Sequence, residues 1–167
     1  KPEALARKRE NAANWMTLDP EVKCYLPGVP RATYQGYPFQ IVQTPKQLLI
    51  AYQFANASRI VYMDPKTENA PIDFWMGWSR GRWEGDTLVI DVTGLNDRTW
   101  FDRAGNYHSD KMHVVERYTR VAANQLNYEA TIEDPEVFTR PWKISMPLYR
   151  RVEPNAQLLE FKCVEFG

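Results

Sequence analysis

The chain is poor in the residues that announce chemistry. Only two histidines and two cysteines occur among its 167 residues. The cysteine spacing matches no CxxC metal or redox motif. There is no Gly-rich phosphate loop, no GxSxG elbow and no HExxH, and no cofactor is expected. Net charge is lacking too, because 21 Lys plus Arg balance 21 Asp plus Glu. A neutral chain has no excess cation with which to release counterions from a phosphate backbone, which argues against a nucleic-acid binder. No apolar run approaches the roughly 18 residues that cross a bilayer as a helix, so no transmembrane segment is expected.

What the chain does have is aromatic bulk. Six Trp, nine Tyr and seven Phe make 13% of the residues, and 44% of the chain is apolar. Such a composition folds, and it points to an aromatic interior or an aromatic contact surface. The length fits one domain. Lys1 in place of a starting Met suggests a processed form or an excerpt of a longer product.

Residues 3–18 (EALARKRENAANWMTL) read as a helix, with Leu5, Ala12, Trp15 and Met16 on one face, and Asp19-Pro20 ends it. Residues 24–38 are rich in Pro and Gly. Residues 1–38 therefore form a helix and a lead-in segment. From Phe39 onward the hydrophobic period becomes two. Strands are expected at 39–43, 47–54, 58–63, 74–83, 87–92, 112–121, 125–132, 142–149 and 157–164, with a tight turn at Glu84-Gly85-Asp86. No βαβ alternation interrupts them. The expected fold is all-β: an antiparallel meander over 39–167, closed or half-closed into a lipocalin-like barrel, with one amino-terminal helix.

One hairpin carries a sharper inference. With a loop at Ala122-Ala123-Asn124, Tyr118 faces Tyr128, Glu116 faces Ala130 and Val114 faces Ile132. Most of these residues are apolar, so this face is the inner one. Glu116 then points into the interior, where a carboxylate must find a cation or donors, or raise its pKa. An Arg reaching in from a neighbouring strand satisfies it structurally.

The longest polar stretch, 93–111, holds His108 and is followed by His113. Asp97, Arg98, Asp102 and Asp110 lie in or beside it. A His within reach of a carboxylate is the ordinary pair for general acid–base work. That reading makes His113 or His108 the acid/base, Asp97 or Asp110 the orienter, Arg98 an anchor for an anionic substrate and Glu116 a second carboxylate. A metal held by His108, His113 and Asp110 needs the loop to fold back, because positions five apart on a strand face opposite ways, and none is assigned. Trp75, Trp78, Trp83 and Trp100 flank the same region as candidate binding residues. They serve equally as barrel core. Asn56-Ala57-Ser58 has the form of a glycosylation triplet, a pattern too frequent to weigh. Arg7-Lys8-Arg9 and Arg150-Arg151 read as solvated faces. Cys24 and Cys163 would clamp the two ends in an oxidising compartment, worth about 4–5 kcal/mol of loop entropy. In a reducing one they are two separate buried thiols.

The runs GRWEGDTLVID (81–91), GLNDRTW (94–100) and HSDKMHVVERY (108–118), with CYLPGVPR (24–31), YPFQIVQT (37–44) and EDPEVFTRPW (133–142), resemble a family of secreted bacterial proteins of no settled activity. The likeness spans about Asp19 to Glu165. It implies a periplasmic or secreted location and favours the Cys24–Cys163 bridge. Many relatives carry His at the position of Trp78, so any chemistry of that His is lost here, and bulk at Trp78 suits packing or docking. Three functions are therefore carried forward. The first is a non-catalytic envelope module that binds a partner protein, as an accessory subunit of a membrane-attached assembly. The second is a small-molecule lyase, isomerase or hydrolase with a His/carboxylate site at the barrel mouth. The third is a carrier of a small apolar ligand in a cavity lined by Tyr52, Tyr118, Tyr128 and Trp142.

Overall fold

A computed structural model describes residues 1–164. The last three residues of the expected barrel domain, and the end of the family likeness at Glu165, lie outside the described residues.

Eight strands form one sheet in chain order: β1 (Phe39–Gln43), β2 (Gln47–Tyr52), β3 (Ser58–Tyr62), β4 (Trp78–Glu84), β5 (Thr87–Thr93), β6 (His113–Ala122), β7 (Gln125–Glu133) and β8 (Trp142–Tyr149). The sheet curls into a half-barrel whose edges are β1 and β8. The period-two pattern sorts the side chains as expected. Leu48, Ile50 and Tyr52 of β2, Leu88, Ile90 and Val92 of β5, and Val114, Tyr118, Tyr128, Ala130 and Ile132 of the β6–β7 hairpin are all buried. Trp142, Ile144, Met146 and Leu148 of β8 share the inner face and are half-buried, because no strand lies beyond them. The β4–β5 turn works because Gly85 takes φ +58°, which costs a glycine nothing.

Every neighbouring pair is antiparallel except one. β3 and β4 run parallel, with Val61 opposite Ser79 and Tyr62 opposite Arg80. A parallel pair needs a long crossover, and the Pro-containing segment 63–77 supplies it. That explains why β4 begins at Trp78 and not at residue 74. Phe74 instead donates its N–H to Gly94 O at 2.8 Å, bracing the segment against the 93–111 loop.

The expected ninth strand, 157–164, is absent. Leu159, expected inside, is 57% exposed. The tail crosses the end of the sheet without joining a ladder. Asn56 replaces a strand there, accepting from Phe161 N and donating to Phe161 O, while the Phe161 ring packs 4.7 Å from Phe54. The Asn56 amide of the glycosylation-like triplet is thus engaged by the tail. Cys24 and Cys163 form the disulfide that ties the lead-in to this tail.

The helix runs as α1 (Pro2–Ala13) and a short α2 (Trp15–Leu18), and its expected face holds only in half: Ala12 and Trp15 are half-buried, Trp15 against the cluster below. Leu5 and Met16 are exposed, whereas Ala4 and Asn11 are buried. The reason is close approach. A Cβ at Gly105 would lie 2.5 Å from Lys8 O and 2.7 Å from Ala12 N, so the helix backbone sits directly on the loop. Small residues make that contact possible, and Arg7 stacks over the Tyr107 ring at 4.1 Å beside it. Among the described residues no helix is long and apolar enough to cross a membrane.

Candidate functional site

The hairpin register is the one expected: Glu116 opposes Ala130, Tyr118 opposes Tyr128 and Val114 opposes Ile132. The turn is shorter by one residue, with Ala122 opposite Gln125. A register shift between Arg120 and Ala122 absorbs the difference at the exposed Val121. Glu116 is fully buried. Its partner is Arg59 on β3, which reaches across the curled sheet to place NH1 2.7 Å from Glu116 Oε2. Tyr128 and Tyr118 donate to Glu116 Oε1 at 2.7 and 3.1 Å. Arg59 donates to Ser79 Oγ at 3.3 Å and to the Tyr118 hydroxyl at 3.5 Å. Burial alone would lower the Arg59 pKa, but the Glu116 carboxylate outweighs it and holds the guanidinium charged. Burial and the same carboxylate push Tyr118 and Tyr128 up, so both remain neutral donors.

Thr33 closes this cluster from above, its hydroxyl 3.4 Å from those of Tyr52 and Tyr118. It lies on α3 (Arg31–Tyr34), which the lead-in sets over the core. The seat of α3 is a second buried ion pair missed in the sequence. Arg31 NH1 and NH2 bind Asp19 Oδ1 and Oδ2 at 2.9 and 3.0 Å, and Arg31 also pairs with Glu21. The tyrosines expected to line a carrier's cavity, Tyr52, Tyr118 and Tyr128, are buried with their hydroxyls in the polar cluster, and Trp142, expected with them, is half-buried on β8. Removing one partner of a buried pair of this kind costs about 3–5 kcal/mol, because the other charge is left stranded.

The two histidines do not converge. His108 is buried, its ring 5.5 Å from Phe101. It donates from Nδ1 to Ser109 O at 3.0 Å, and Nε2 lies 2.6 Å from the Thr99 hydroxyl. A carbonyl only accepts, so Nδ1 carries the proton and Nε2 accepts from Thr99. Burial lowers its pKa and keeps the ring neutral. His113 points outward at the start of β6, while its neighbour Val114 points in. Its Nε2 is 3.0 Å from Asp91 Oδ2 and its Nδ1 is 3.8 Å from Glu133 Oε2. The hydrogen bond to Asp91 raises the His113 pKa and lowers that of Asp91. Both nitrogens of His108 are engaged, whereas His113 uses Nε2 on Asp91 and has Glu133 beyond hydrogen-bond distance of Nδ1. Asp97, Arg98 and Asp110 are exposed, and Asp110 pairs with its neighbour Lys111 at 3.1 Å. Among the described residues the contacts of His108, His113, Asp110 and Glu116 run to other partners than the expected ones: Thr99 and Ser109, Asp91, Lys111 and Arg59. A further carboxylate missed in the sequence, Asp134, is buried and takes the Ser109 N–H and hydroxyl, fixing the loop beside His108.

The tryptophans separate. Trp100 is buried under the helix with Tyr107 and Val137. Trp75 packs on Tyr25 at 5.1 Å. Trp83 is half exposed at the rim of an open cleft of about 570 Å³, whose other walls include Met63, Asp64, Arg80 and Asp91. Trp78 lies on the outer face of β4, stacked between Tyr62 at 4.6 Å and Phe74 at 5.6 Å. Next to that stack runs an apolar row. Val42 opposes Leu49, and Leu49 opposes Ile60. All three point outward and are 46%, 40% and 42% exposed. Ile72, in the crossover segment, is 66% exposed. The outer face of β6–β8 presents Arg117, Asn127, Glu129, Thr131, Lys143 and Ser145, with Val121 and Tyr149 exposed at its hairpin end.

No family model, curated protein or solved structure matches the chain.

Proposed function

We propose that the protein is a non-catalytic binding module of the bacterial envelope that docks a partner protein on the outer face of β1–β4. The observation that carries this reading is the row Val42–Leu49–Ile60 running into the Tyr62–Trp78–Phe74 stack. An antiparallel sheet with one face in water alternates polar side chains outward. That rule holds along Asn127–Thr131 of β7 and Lys143–Ser145 of β8, whereas Val42, Leu49 and Ile60 break it over three adjacent strands. A contiguous exposed apolar patch marks an interaction site, and aromatic residues beside it supply the anchors. The disulfide fits an oxidising compartment, and the buried charges Arg59 and Glu116 are spent on each other.

The experiment is isolation of the native protein beside the double variant Leu49→Asp, Ile60→Asp. Both positions are solvent-facing, so the variant keeps its disulfide and its circular dichroism. The expected result is a stoichiometric partner with the native chain that is lost from the variant. The same partner, equally retained by both, contradicts the reading.

A further inference from the structure

The two free edges of the half-barrel are built differently, and the difference follows from hydrogen-bond alternation. In an antiparallel pair every second residue bonds its neighbour strand and the residues between point their N–H and C=O away. Gln53 N donates to Pro38 O at 2.9 Å and Thr44 N donates to Gln47 O at 2.8 Å. With the continuous β1–β2 register, the even residues Gln40 and Val42 therefore bond β2. The odd residues Phe39, Ile41 and Gln43 turn their backbone groups to the open side. On β8, Arg150 N donates to Asn124 O at 2.9 Å, so the even residues bond β7. Lys143, Ser145, Pro147 and Tyr149 then hold the free edge.

Pro147 has no N–H to offer there, and Lys143 places a charge on it. These are standard devices that prevent strand addition. β1 has none of them. No Asp, Glu, Lys or Arg occurs from Ala32 to Pro45, no proline interrupts the strand and no bulge twists it. Among the described residues β1 is paired only with β2. Phe39 and Ile41, inner-face residues, stay half-buried because nothing lies beyond them.

We propose that the free edge of β1 binds the same edge of a second copy of this chain, the two β1 strands running antiparallel about a twofold axis at Ile41. Three features select this occupant. The register is self-complementary, since an axis at Ile41 sets Ile41 against its own copy and Phe39 against Gln43. All the outward-turned backbone groups are then matched. The uncharged run places no like charges opposite one another, which would oppose pairing. The guarded β8 edge blocks the head-to-tail alternative, β1 against β8, which would propagate into filaments; an isologous pair closes after one step. The proposal goes beyond the outer-face reading and does not rest on it, because Val42, Leu49 and Ile60 project from the sheet while the edge uses backbone groups.

The test is sedimentation equilibrium of the full chain over about 1–100 μM, with Ile41→Pro and Ser145→Pro as matched variants. Each proline removes an N–H that its own subunit does not use. The expected result is a dimer for the native chain and for Ser145→Pro, with association weakened about tenfold or more in Ile41→Pro. A native chain that stays monomeric overturns the proposal. So does a dimer that Ile41→Pro leaves unchanged, which would place the contact elsewhere. Amide exchange of the native chain gives a readout free of folding effects: the Ile41 and Gln43 amides should become protected as concentration rises. Exchange that stays fast at concentrations where the chain is dimeric, or protection that needs a different protein, counts against a second copy.

Discussion

His113 and His108 sit in opposite environments, and their effects on stability oppose each other. His113 lies between Asp91 and Glu133, and its pKa in the fold is raised above 6.5. A group raised on folding stabilises fully below its unfolded pKa, and that contribution fades as pH rises through the folded one. His108 is buried neutral with a lowered pKa. Its protonation is favoured in the unfolded chain, so it costs stability as pH falls below 6.5. Replacing His113 with Asn should therefore lose more stability at about pH 5.5 than at about pH 8.5. Urea unfolding at the two values checks this, and an equal loss at both would mean that the Asp91 contact carries no charge. Glu116 shows how far a single residue could be read in advance. Its inward aim followed from alternation and the hairpin register. Its partner did not, because Arg59 belongs to a strand that is no sheet neighbour of β6 and meets it only when the sheet curls. Asp19, Arg31 and Asp134 were invisible for a similar reason: each is buried by a loop whose path no periodicity encodes.

At the scale of elements, strands were legible where one face is apolar and the next residue polar, as in β2, β5 and β8. The reading failed where alternation is present without a neighbour to pair with. QLLEFKCV at 157–164 alternates well, yet it runs across the sheet end under the hold of Cys163 and Asn56. It failed again on the helix, whose buried stripe is built from Ala4 and Asn11 because Gly105 brings backbone against backbone. A face made of small residues carries almost no hydrophobic signal. The tail also yields a prediction. The disulfide closes a sequence separation of 139, worth about 4–5 kcal/mol in the chain-entropy account. Cys163→Ser should lower stability by up to that amount and make 150–164 the first site of limited proteolysis, while β1–β8 stay intact. Cleavage within β6 or β7 at the same protease dose would show that the bridge holds the sheet itself.

For the whole molecule, inside and outside divide the work. The interior beneath α3 is tied together by Arg59, Glu116 and the tyrosines. The exterior is uneven, with an apolar row across β1–β3 and charged and polar side chains over the middle of β7 and β8. Composition suggests an aromatic interior or an aromatic contact surface, and the tryptophans divide between the buried core and the outer side of the sheet. Trp100 lies in the core and Trp78 on the outer side, a division that residue type does not show. The most direct measurement is carbene footprinting of the protein in native envelope preparations against the purified chain. The account predicts that labelling at Val42, Leu49, Ile60 and Trp78 falls in the native setting while Glu129, Thr131 and Lys143 label equally in both. Unchanged labelling at the apolar row, or protection confined to β6–β8, would contradict it.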